Sequence, residues 1–87
     1  MNKYLVESPH KPEDCLHVLD VVTALGHVTH YDWGCESGIH TGWVIVDADS
    51  EEEALMSVPS IIRREARAIR LNKFTPEMIK QFHEEQG

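Results

Sequence analysis

Trp43-Val44-Ile45-Val46 is apolar at every position, and it runs almost at once into Asp47-Ala48-Asp49-Ser50-Glu51-Glu52-Glu53. A strand that faces water on one side alternates apolar with polar residues. Unbroken apolar character with three β-branched residues predicts instead a central strand over 40–47, buried on both faces. The polar segment behind it is a helix start. Ser50 with Glu53 three residues later is a capping box, in which hydroxyl and carboxylate satisfy each other's free N–H groups. A buried strand feeding directly into a helix needs partners along both edges, and the rest of the chain must supply them.

It has the segments to do so. Residues 3–8 read as a short strand ended by Pro9, which cannot donate to a ladder. Pro12 suits a first helical position, and Glu13 and Asp14 then fall where the helix dipole favours anions. Cys15, Val18, Leu19, Val22 and Leu25 recur at three- and four-residue steps, which is one apolar helical stripe, and Gly26 follows as a left-handed cap. Residues 28–35 are rich in β-branched and aromatic types and form a hairpin with 40–47 about the loop Glu36-Ser37-Gly38-Ile39. The helix after Ser50 carries Ala54, Leu55, Val58, Ile61 and Ile62 on one face and is broken by Pro59. Residues 67–73 read as a last, edge strand, and Thr75-Pro76-Glu77 starts a short tail helix with Met78, Ile79 and Phe82 on its apolar side. The order β-α-β-β-α-β plus a C-terminal helix predicts an α+β, ferredoxin-like fold with a four-stranded antiparallel sheet, one domain over residues 1–87.

Length now matters. A chain of 87 residues buries only ~60–65% of its unfolded surface, and a single sheet backed by helices leaves one face bare. That predicts a homodimer. The 15 acidic against 8 basic side chains, a net charge of −7, argue against nucleic acid as partner. No apolar run approaches the ~20 residues of a membrane span, and the start has no apolar stretch of secretory-signal length. Two cysteines are too few for a disulfide scaffold, so a reduced, cytoplasmic protein is expected. Charge is uneven: residues 1–60 hold 2 basic and 11 acidic groups, residues 61–87 hold 6 and 4. The basic run Arg63, Arg64, Arg67, Arg70 and Lys73 reads as a solvated edge or as a contact for the acidic part of a partner subunit.

Lys3-Tyr4-Leu5-Val6 and the segment from Gly42 through Asp47-Ala48-Asp49-Ser50 to Ala54 resemble the first strand, and the third strand with the second helix, of the dimeric α/β-barrel superfamily. Its ferredoxin-like chains include YCII-like, muconolactone-isomerase-like and antibiotic-monooxygenase-like proteins. The resemblance implies a homodimer paired through open sheet faces, with small molecules held in the enclosed space. It carries over no catalytic residue.

The chemistry-bearing residues gather around the hairpin. A tight loop at 36–39 makes Cys35 and His40 cross-strand neighbours, with Cβ atoms ~4.5–5.5 Å apart. Such a pair can share zinc or nickel, with His10 or a partner subunit completing the ligands, or it can form an activated thiolate. A small hairpin cysteine beside a solvated histidine is the plainer alternative. His30 and Asp32, two residues apart, could orient an imidazole for acid–base work. Tyr31 and Trp33 share the Cys35/His40 face and suit the wall of a small-molecule pocket, while Trp43 points the other way. Cys15, on the apolar stripe, reads as an inert core thiol, and His17 as exposed. No G-x-G-x-x-G, P-loop, G-x-S-x-G or H-E-x-x-H motif occurs, which disfavours nucleotide-driven and hydrolase chemistry. The leading expectation is a binder of a small ligand or divalent transition metal at a dimeric sheet face. The alternatives are a cofactor-independent isomerase or monooxygenase-like enzyme and a non-catalytic interaction module.

Overall fold

The computed structural model describes residues 1–86. Four strands, β1 (Asn2–Pro9), β2 (Asp32–Trp33), β3 (Thr41–Ala48) and β4 (Arg67–Arg70), form one antiparallel sheet in the order β2-β3-β1-β4. Helices α1 (Cys15–Ala24), α2 (Glu51–Leu55), α3 (Ser60–Arg63) and α4 (Pro76–Gln86) complete an α+β architecture. Among the described residues no helix is long and apolar enough to cross a membrane.

β1 and β3 pair along their full length, from Asn2 opposite Ala48 to Pro9 opposite Thr41, and form the interior of the sheet. Side chains alternate between faces. Tyr4 and Val6 of β1 and Val44 and Ala48 of β3 point to one face, where Val18 and Val22 of α1, Ala54 of α2, Val58 of the α2–α3 link and Ile62 of α3 bury them. These helices all contribute to one cluster on one side. Ile45 therefore stays 59% exposed, and the expected burial of this strand on both faces is not found. The reason is tertiary. The apolar run has the composition of a doubly covered strand, but the chain places its core-forming helices on a single side.

The second strand is far shorter than the 28–35 expected. Val28–His30 form a tight turn, only Asp32 and Trp33 pair with β3, and Cys35–Ser37 form another turn. Local bonds outcompete the ladder. The Trp33 indole N–H donates to the Val28 carbonyl (3.3 Å), while Ser37 and Ile39 N–H both donate to the Gly34 carbonyl (2.9 Å each). Gly38, at φ 83°, closes this turn in a conformation other side chains rarely adopt.

The helix signals behave largely as read. Glu53 N–H donates to Ser50 Oγ (3.1 Å), but the Glu53 carboxylate accepts from Asp49 N–H (3.0 Å), one residue further out than in a standard box. Pro59 separates α2 from α3. Arg63 bridges the break, donating to the Leu55 carbonyl (3.2 Å) and the Val58 carbonyl (2.9 Å). Arg63 thus serves the fold and drops out of the basic surface run. β4 spans four residues at the sheet edge instead of 67–73, and Thr75 caps α4 by accepting from Met78 N–H (3.2 Å).

Candidate metal centre

Two strand registers and one turn bring four ligand-type side chains to one end of the sheet. His10 follows β1 directly, and its N–H donates to the His40 carbonyl (2.9 Å), extending the β1–β3 pairing by one step. The β2–β3 register, continued past Trp33 opposite Gly42, sets Cys35 against His40. Cys15 arrives from a third direction. The Pro12–Asp14 turn, held by Asp14 N–H to the Lys11 carbonyl (2.9 Å), delivers it as the first residue of α1.

His10, Cys15, Cys35 and His40 are all half-buried, and one ligand atom from each lies within 4.8 Å of all the others. His10 Nε2 stands 3.4 Å from Cys35 Sγ. In tetrahedral zinc sites, Zn–S bonds of ~2.3 Å and Zn–N bonds of ~2.0–2.1 Å put neighbouring donors ~3.3–3.8 Å apart. The cluster is thus within a side-chain adjustment of about 1 Å of that geometry. The Trp33 ring walls it, its centroid 6.3 Å from that of His10 in an edge-on arrangement.

The electrostatics suit a cation. Burial, and then the neighbouring Cys15 thiol, push Cys35 up to about 11, because a lone thiolate has nothing positive beside it. Burial holds His10 below its ordinary 6.5, so its imidazole is neutral and has a lone pair to give. The Nδ1 atoms of His10 and His40 are both buried without a hydrogen-bond partner. Buried polar atoms are rarely left so. Beside the cluster, a cleft of ≈280 Å³ lined in part by His10, Lys11, Asp14, His17 and Glu65 opens on the His10 side.

The structure brings together His10, Cys35 and His40, which the sequence pattern singled out, and adds Cys15. The thiol read as inert core is half-buried and faces the other three ligands. Its apolar stripe misled: the first residue of α1 overhangs the sheet end, whereas Val18 and Val22 reach the core. A signal did exist. His10-x4-Cys15 and Cys35-x4-His40 are mirror-image spacings.

The other candidates lie elsewhere. Tyr31 is buried and stacks on Trp33 at 5.3 Å, and its phenol donates to the Ser57 carbonyl (2.9 Å). Burial raises its pKa. It lines a cavity of ≈300 Å³ with His27, His30, Val44, Val46, Met56 and Ser57, whereas Trp33 packs toward the cluster. His30 is exposed and lies against His27, Nδ1 to Nδ1 3.4 Å. His30 and Asp32 line one cavity of ≈250 Å³ with Leu5, Trp43, Val44 and Ile45, but among the described residues no hydrogen bond joins them.

No family model, curated protein or solved structure matches this chain.

Proposed function

We propose that this chain is a metal-binding protein that holds one zinc ion at His10, Cys15, Cys35 and His40. The carrying observation is the convergence of four half-buried donors from three separate segments within 4.8 Å. Two thiolates and two imidazoles in a compact set are a zinc complement, while nickel favours planar nitrogen- and oxygen-rich sites. Four protein donors leave no open coordination position, which is the signature of a structural site. The metal would supply positive charge to two thiolates that burial otherwise disfavours. The protein's part is to tie the end of β1, the start of α1 and the β2–β3 turn into one unit. Free thiols at this density suit a reducing compartment such as the cytoplasm.

The strand order, together with the helices on one face, supports the ferredoxin-like reading and the resemblance to dimeric α/β-barrel chains. The uncovered face, with Ile45 at its centre, supports a homodimer.

The test is metal titration of chelator-stripped, reduced protein. Binding of one equivalent of Zn²⁺, competing with Co²⁺ that shows tetrahedral thiolate absorption, is expected. Absence of Zn²⁺ binding by calorimetry, or binding unchanged in Cys15→Ser and Cys35→Ser, would overturn the proposal.

A further inference from the structure

α4 is an amphipathic helix with nothing beneath it. Every residue from Pro76 to Gln86 is exposed, yet Met78, Ile79 and Phe82 gather on one side, and Phe74 closes against Phe82 at 5.8 Å. The molecule is correspondingly drawn out. Its radius of gyration is 16.3 Å, against ~12 Å for a compact domain of this length. The open sheet face is the second unpartnered apolar surface. Ile45 and Ile69 lie on it either side of Leu5, and Leu71 continues it past β4.

We infer that α4 of one copy lies across the open sheet face of a second copy, and reciprocally, so that the helix is an exchanged arm. This rests on the homodimer reading and replaces the sheet-to-sheet pairing of the dimeric α/β barrels with helix-to-sheet covering. Dimensions agree: eleven helical residues span ~16 Å, and four strands at ~4.8 Å spacing are ~14 Å across. Area agrees as well. At roughly 150–250 Å² for a whole large side chain, the exposed fractions of Phe74, Met78, Ile79, Phe82, Ile45, Ile69 and Leu71 leave on the order of 600 Å² uncovered per copy. A stable interface needs ~800 Å² per partner, and the surrounding polar rim supplies the remainder. α4 carries Glu77, Glu84 and Glu85 against the single Lys80. The exposed cations on the open face are Lys3 and Arg67, paired within their own copy to Asp47 and Glu7. In a two-fold arrangement the acidic arm competes with those carboxylates for the partner's Lys3 and Arg67.

Light scattering on the full chain, with circular dichroism as the fold control, tests this on wild type, Met78→Glu/Phe82→Glu and Ile45→Lys. A wild-type dimer is expected, with both variants folded and dissociating at least a hundredfold more readily. Because α4 buries no side chain, its variant keeps the fold. A wild-type monomer overturns the arm and the homodimer reading together. A dimer broken by Ile45→Lys but not by the α4 changes overturns the arm alone, since sheet then meets sheet. A dimer indifferent to both places the interface elsewhere and also overturns the arm. Should a variant unfold, zero-length cross-linking of mixed ¹⁴N and ¹⁵N wild-type protein decides the matter. Links from Glu84 or Glu85 to Lys3 between light and heavy chains support the arm, and their absence overturns it.

Discussion

The molecule holds two histidine pairs, and they differ in everything except closeness. The His10 and His40 rings lie 5.9 Å apart, and those of His27 and His30 lie 5.4 Å apart. His27 and His30 are three residues apart on one turn and exposed. His10 and His40 are thirty residues apart, joined by strand register, half-buried, and accompanied by two cysteines within 4.8 Å. On the proposed reading, proximity of imidazoles does not make a site; burial and thiols do, together with a scaffold that fixes separate segments against one another.

The largest effect that could sharpen this contrast is the stabilisation from zinc itself. A ligand that binds only the folded state at about a thousand times its Kd adds ~4 kcal/mol, which for a domain of this size is a Tm rise of roughly 15–30 °C. Cys15→Ser and Cys35→Ser are expected to remove nearly all of it, and His10→Ala most of it. Thermal melts with and without one equivalent of Zn²⁺ give the answer. A rise that survives loss of either cysteine breaks the contrast.

Next in size is Gly42→Ala, which reaches the site through its wall. A Cβ at Gly42 would stand 2.8 Å from the Trp33 ring and 3.2 Å from Ser8 Oγ, which itself donates to the Gly42 carbonyl (3.1 Å) from full burial. The ring must shift, and overpacking of this kind costs ~1–3 kcal/mol. Since Trp33 leans on His10, the variant should also bind Zn²⁺ more weakly. A denaturant midpoint and a zinc titration equal to wild type would show that Trp33 does not hold the cluster in place.

These two predictions rest on features of unequal legibility. The helix starts at Ser50 and Thr75, the break at Pro59 and the cap at Gly26 are local chemistry, and each is where the residues point. The Cys35–His40 pairing followed from a hairpin register that holds although the strand it was drawn on shrinks to Asp32–Trp33, while His10 was only one of two sources offered for a further ligand. What stayed hidden needed the third dimension. Nothing in the Cys15 stripe says that α1 begins beyond the sheet end. Nothing in Trp43–Val46 says that the core-forming helices all pack on one side. Nothing in 28–35 says that Tyr31 and Trp33 find carbonyls at Ser57 and Val28 that end the ladder early.

A smaller effect is read by pH. In metal-free protein the folded His10 binds its proton less well than the unfolded chain does, so stability falls as pH drops through and below 6.5. Cys35 behaves oppositely. Its folded value of about 11 lies above its ordinary 9.0, so stability is full below pH 9 and drains away as pH climbs toward 11. Zinc requires the thiolates and neutral imidazoles, so its affinity should rise with pH from 6 to 9, by about tenfold per unit for each proton released. Calorimetry in buffers of different ionisation enthalpy counts those protons. A pH-independent affinity would mean that the thiols are not ligands.

The smallest expected effect is the most searching for the comparison. His27→Ala/His30→Ala removes two rings whose nearest polar contact is each other, in a part of the surface that water already reaches. Exposed substitutions of this kind stay within ~0.5 kcal/mol, so the Tm and the Zn²⁺ stoichiometry should match wild type. Two imidazole nitrogens 3.4 Å apart are nonetheless close enough to bracket an ion. If the wild-type chain takes a second equivalent of Zn²⁺ or Ni²⁺ and this double variant takes one, closeness alone suffices, and the weight given to burial and thiols is misplaced. If both take one, the difference between the pairs lies where the fold puts it: in the two cysteines and the three segments that strand register and the turn before α1 bring together.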